Sequence, residues 1–173
     1  MKNFARIENG KVAERLDAEE LPPFHPSLHW EPCAADVHEG WSFDGTSFTP
    51  PPAPPIDQIK GRQWDAIKAE RDRRKAGGIK VGAKWFHSDD GSRIQQIGLV
   101  MMGASIPAGL QWKTMDGSFI TITQALAGNV FAAAAASDQA VFAAAETHRV
   151  AMEASADPAS YDYFGGWPKI YGE

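Results

Sequence analysis

The stretch whose reading decides the fold is residues 65–93, DAIKAERDRRKAGGIKVGAKWFHSDDGSR. Its first part is a run of alternating charge that follows Ile56, Ile59, Trp64 and Ile67. That spacing is the one expected of a helix with one apolar face and one washed by solvent. Gly77-Gly78 ends the helix, because glycine readily takes the positive φ of a helix terminus. Residues 80–87, with Trp85 and Phe86, then read as a strand. Ser88 can cap a second helix, which Ile94, Ile97 and Val100 or Met101 continue at three- and four-residue spacing until Pro107. Helix, strand and helix in so short a span predict an α+β chain.

Outward toward the N-terminus, Pro50, Pro51, Pro52, Pro54 and Pro55 cannot continue a sheet ladder and predict an extended linker. Before it, residues 4–7 and 11–16 flank Asn9-Gly10, a pair suited to the positive φ values of a tight hairpin turn. Residues 21–32 are punctuated by prolines and read as irregular. Trp41-Ser42-Phe43 and Ser47-Phe48 flank Asp44-Gly45 and predict a second aromatic hairpin.

Toward the C-terminus, residues 110–114 and 118–122 flank Asp116-Gly117 and give a third hairpin. Thr123 caps a final helix that can run to about residue 154, with Leu126, Val130, Val141, Ala145, His148 and Met152 on one broad face. A break near Ser137-Asp138, giving two shorter helices, is the alternative. Residues 160–171, SYDYFGGWPKIY, are too irregular for an amphipathic element and too aromatic for a solvated tail. The predicted organisation is a β-hairpin unit over 1–49, a proline linker over 50–56, a mixed domain with a long last helix over 57–156, and an aromatic docking tail over 157–173.

Composition narrows the function. With 43% hydrophobic and 23% charged residues, the 173-residue chain has the makeup of a globular protein, and its net charge of −5 disfavours broad nucleic-acid binding. Arg71, Arg73, Arg74 and Lys75 are the local exception, and they sit where cations complement a helix C-terminus. The single Cys33 cannot form an internal disulfide, and MKNFARIENGKV lacks the apolar run of a signal peptide, so synthesis in a reducing cytoplasm is expected. Residues 125–145, the most apolar stretch, are interrupted by Asn129, Ser137, Asp138 and Gln139 and read as a packed helix, not a membrane span.

Sites with chemistry are scarce. His25, His29, Cys33 and His38 carry metal-binding groups, but the surrounding prolines and the lack of a Cys-x-x-Cys pair argue against zinc. No phosphate-binding glycine loop or nucleophile elbow is present. Asp89, Asp90 and Asp116 stand beside glycines and read as turn residues. They are also the candidates for the alternative function, a small metal-dependent or carboxylate enzyme acting on a host-surface polymer.

The phrases AERDRRKAGG, SDDGSR, WKTMDGSFITIT and FAAAETHRVAMEA, in that order over about residues 60–155, resemble a domain of unknown function carried by bacteriophage tail-fibre and tail-fibre-assembly proteins. The opening, ARIENGKV followed by HPSLHW and WSFDG, is similar to the N-terminal regions of phage tail-fibre assembly proteins. The resemblance implies a non-enzymatic tail protein with no cofactor that binds a tail-fibre or tail-tip polypeptide, with no nucleic-acid or membrane partner. It would act in the host cytoplasm as an assembly chaperone, or stay in the virion tail as an accessory component. Docking is expected at Tyr161, Tyr163, Phe164, Trp167 and Tyr171, with Trp167 as anchor, onto a partner or, equally, onto the chain's own domain. A helix interface, to the partner or to a second copy, is expected at Ala134, Val141, Ala145 and His148, where small side chains permit close approach; packing of the same face inside the domain is the alternative.

Overall fold

A computed structural model describes residues 1–173 and shows a mixed α+β chain in two compact units, Met1–Pro54 and Pro55–Glu173. The N-terminal unit is a five-stranded antiparallel sheet of β1 (Lys2–Glu8), β2 (Lys11–Ala18), β3 (His29–Cys33), β4 (Ser42–Phe43) and β5 (Phe48–Thr49), in the order β3-β1-β2-β4-β5. Asn9 at φ 53° and Gly10 at φ 72° make the first turn, which demands positive φ at both positions. Ala5, Val12 and Val37 are its buried centre, with Ile7, Cys33, Trp41 and Phe48 packed around them.

The strand β3 corrects the expectation of an irregular segment up to Pro32. Residues 29–33 pair with β1, Ala5 opposite Glu31 and Phe4 opposite Pro32. Proline is tolerated because β3 is an edge strand whose outer side needs no donor.

The C-terminal unit is organised on one long helix. Its elements are α1 (Ile56–Lys75), β6 (Ile79–Val81), β7 (Lys84–Phe86), α2 (Asp90–Met102), β8 (Gln111–Lys113), β9 (Phe119–Thr121) and α3 (Gln124–Ala154). Thr123 caps α3, its side chain accepting from the Leu126 N–H. Three buried clusters follow one another along α3. Leu99, Ile122 and Ala127 lie near its start, Ile79, Phe86, Val130 and Ala134 come next, and Ile67, Ala145 and Met152 lie toward its end. Each fully buried large apolar side chain, such as Ile67 or Phe86, contributes about 1.5–3 kcal/mol.

Three local expectations change. The strand read over residues 80–87 is a hairpin, because Gly82 at φ 60° turns β6 back onto β7. The α2 cap is Asp89, which accepts from the Ser92 N–H at 3.0 Å. Ser88 is buried, donating to the Lys75 carbonyl and accepting from the Gly78 N–H. Finally, α2 ends at Met102, short of Pro107; it buries Gln96 and Leu99 and leaves Ile94, Ile97 and Met101 exposed.

No break occurs at Ser137-Asp138. Asp138 receives two 2.7 Å hydrogen bonds from the Arg93 guanidinium, whose other donors reach the carbonyls of Ser88 and Lys75. One arginine therefore ties the end of α1, the start of α2 and the middle of α3. The aspartate that might have interrupted the helix is held in it by a bidentate pair.

Candidate functional site

The two ends of α3 present different surfaces. At the C-terminal end the aromatic segment is not a free docking tail. Tyr161, Tyr163 and Trp167 pack with Trp64 against Ile67, Ala145 and Met152. The Trp167 indole donates to the Tyr163 carbonyl at 2.6 Å, and Gln63 donates to the Tyr161 carbonyl at 2.8 Å. Arg74, almost fully buried, donates to the Pro168 carbonyl and pairs with Glu70 and Glu173. Gly77 is required here, since a Cβ on it would lie 2.6 Å from Ile170 Cγ2, and its carbonyl accepts from the Tyr171 N–H. Residues 157–173 are thus a strap belonging to the C-terminal unit.

His148 is part of the same closure. Its Nε2 lies 2.8 Å from the Gly165 carbonyl and its Nδ1 2.9 Å from the Tyr161 hydroxyl. A carbonyl only accepts, so Nε2 carries the proton, and in the neutral ring Nδ1 accepts from the tyrosine. Its ring also stacks, tilted, on Trp167 at 5.0 Å. The predicted interface residues Ala134, Val141 and Ala145 are buried inside the unit, Ala134 packing with Ile79 and Phe86 of the β6–β7 hairpin and Ala145 with Ile67 of α1 and the strap. Of the predicted docking set only Phe164 and Tyr171 remain exposed, and Phe164 stacks on Tyr163.

The N-terminal end of α3 is open. There α2 runs antiparallel to it, Arg93 opposite Asp138 and Leu99 packed with Ala127. A groove of about 180 Å³ lies between them, lined by Ile97, Phe131, Ala134, Ala135 and the Arg93–Asp138 pair. Beside it Ile94 is 70% exposed and Met101 82%, while Ile97 and Phe131 are 44% and 45% exposed. At 100° per residue Ile94, Ile97 and Met101 fall within roughly 60° of arc, so they form one stripe. Their helical spacing alone does not say whether they face the core or the solvent. The signal that distinguishes them is charge: residues 94–137 include only two charged side chains, Lys113 and Asp116.

Two of the three candidate carboxylates, Asp116 and Asp89, are engaged in local structure, and Asp90 is exposed in the first turn of α2. Asp116 accepts from Lys84 Nζ at 2.8 Å, from the Ser118 and Thr114 hydroxyls at 2.6 Å, and from the Ser118 N–H at 3.0 Å. The Lys84 contact first, then the two hydroxyls, hold its carboxyl well below the ordinary carboxylate range. Asp89 is lowered by the Ser92 hydroxyl and N–H that it caps. In the N-terminal unit His29 contacts Glu31, His25 contacts Ser27, and burial raises the Cys33 thiol. No three His, Cys, Asp or Glu side chains come together as metal ligands, and no helix is long and apolar enough to cross a membrane.

A family described as a domain of unknown function (DUF4376) matches residues 58–164. The chain belongs to this family. The DUF4376 segment begins within the first turn of α1 and ends in the strap, so it takes in all three helices, both small hairpins and the open α2–α3 face. The N-terminal sheet lies outside it. No curated protein matches the chain.

Proposed function

We propose that the protein is a non-enzymatic component of a bacteriophage or prophage tail. It binds the tail fibre or tail tip, as an assembly chaperone or as an accessory component retained in the virion. The observation that carries this reading is the fate of the polar groups. Of Asp89, Asp90 and Asp116, on which an enzyme would depend, Asp89 and Asp116 are committed to a helix cap and a turn and Asp90 stands alone in the first turn of α2, whereas exposed apolar side chains are left without partners. Such surfaces are suited to binding. The opening ARIENGKV, HPSLHW and WSFDG pattern supports assigning fibre contact to the N-terminal unit. Exposed apolar groups there include Leu21, Phe24 and Leu28, with Phe24 stacked on Trp30 at 4.8 Å.

Co-purification of the full chain with phage tail-fibre and tail-tip polypeptides tests the reading. Binding is expected, and Leu28→Asp should weaken it at least about tenfold, or about 1.4 kcal/mol. Recovery of neither polypeptide would refute it. Mass spectrometry of purified virions separates the two roles, since a chaperone is absent from them and an accessory component is present.

A further inference from the structure

Ile94, Ile97 and Met101 pose a question that the fold does not answer. Two isoleucines and a methionine occupy the solvent pole of α2, while the same helix buries a glutamine. Gly98 lies beside them in the helix interior, where glycine is less favourable than alanine, and a Cβ on it would meet nothing within 4 Å. Nothing inside the chain requires that glycine. A second helix laid across α2 would, because the missing Cβ lets backbones approach closely.

We infer that the α2–α3 face is a homodimer interface, in which the Ile94, Ile97 and Met101 stripe of one copy seats against the same stripe and groove of a second copy. Charge identifies the occupant. In a two-fold interface each patch meets itself, so any charge near the axis faces its like; a patch tolerates this pairing best when it carries none. The stripe and residues 124–137 of α3 are uncharged, in a chain with 39 charged residues (17 basic plus 22 acidic), and the two charges that line the groove, Arg93 and Asp138, are paired with each other within one copy.

Dimensions agree with a second copy. Helix α2 is about 20 Å long, and with α3 about 10 Å away the pair presents about 400 Å² in projection. Side-chain relief carries the accessible area toward the ~800 Å² per partner of a stable interface. Antiparallel crossing near Gly98 sets Ile94 of one copy opposite Met101 of the other. The groove beside Ile97 and Phe131 then receives an aliphatic side chain from the second copy. The inference does not depend on any tail partner, since it concerns the purified chain alone.

Sedimentation equilibrium of the full chain from about 1 to about 100 μM tests it, a range that brackets micromolar affinity. A monomer–dimer equilibrium is expected, with Met101→Glu and Ile97→Glu each raising the dissociation constant more than tenfold. Both positions are exposed, so circular dichroism of the monomers should match the wild type. The doubly substituted Ile94→Glu/Met101→Glu and Ile94→Lys/Met101→Lys chains should each be monomeric alone and dimerise when mixed. A wild type that stays monomeric over this range overturns the inference, whatever else it binds. So does a dimer whose affinity is indifferent to both single substitutions.

Discussion

One helix, α3, is covered at its C-terminal end and open at its N-terminal end, and the two ends use different physics. Residues 138–154 lie under α1 and the strap, where rings, a histidine bonded on both nitrogens and ion pairs close the surface. Residues 124–137 carry no charge, and the helix packed beside them turns its own apolar stripe outward. Aromatic content alone therefore does not mark a binding surface. A ring with partners of its own chain is core, and an aliphatic stripe without them is surface to be covered.

Breaking the closed end should have the largest effect. Trp167→Ala removes an indole that packs on the Ile67 cluster and His148, and should lower stability by about 3 kcal/mol. Thermal unfolding with dye binding checks this, the expected result being a lower Tm and newly exposed apolar surface. Gly77→Ala should cost about 1–3 kcal/mol by driving a methyl group into Ile170, measured by urea unfolding. At the junction of the two ends, Asp138→Ala removes a partly exposed bidentate pair and should cost about 1–2 kcal/mol. Its amides around residue 138 should exchange faster, because the aspartate no longer holds Arg93 across the helix ends.

The turn at Asp116 gives a pH test. Its folded carboxyl takes up a proton only at lower pH than the unfolded one, so below the ordinary Asp range near pH ~4 the unfolded chain binds more protons. Stability from this turn is present above that range and lost as pH falls further. Asp116→Asn should flatten that part of the acid unfolding curve and leave the neutral-pH dependence unchanged. The smallest effect belongs to the open end, where Met101→Gln should change monomer stability by less than about 0.5 kcal/mol.

Much of the architecture was legible because local chemistry specified it. Asn9-Gly10, Asp44-Gly45 and Asp116-Gly117 mark turns whose backbone demands only such residues readily meet, and Thr123 marks the start of α3. Pairing partners were less legible. Edge strand β3 contains a proline that argues against a strand unless its neighbour is known, and Gly82 hid a hairpin inside one apolar run. The exposed face of α2 was not legible for a related reason. Periodicity reports that Ile94, Ile97 and Met101 share a face, yet both a core stripe and an interface stripe have that period. The strap was legible as something that docks; that its dock is Ile67, Ala145 and Met152 depends on contacts about a hundred residues apart for Ile67.

Hydrogen–deuterium exchange of the full chain at low and high protein concentration tests the contrast between the two ends most directly. Concentration should increase protection in residues 94–102 and 124–137 and leave residues 138–154 and the strap unchanged. Protection gained in the strap, with none in α2, would contradict the account.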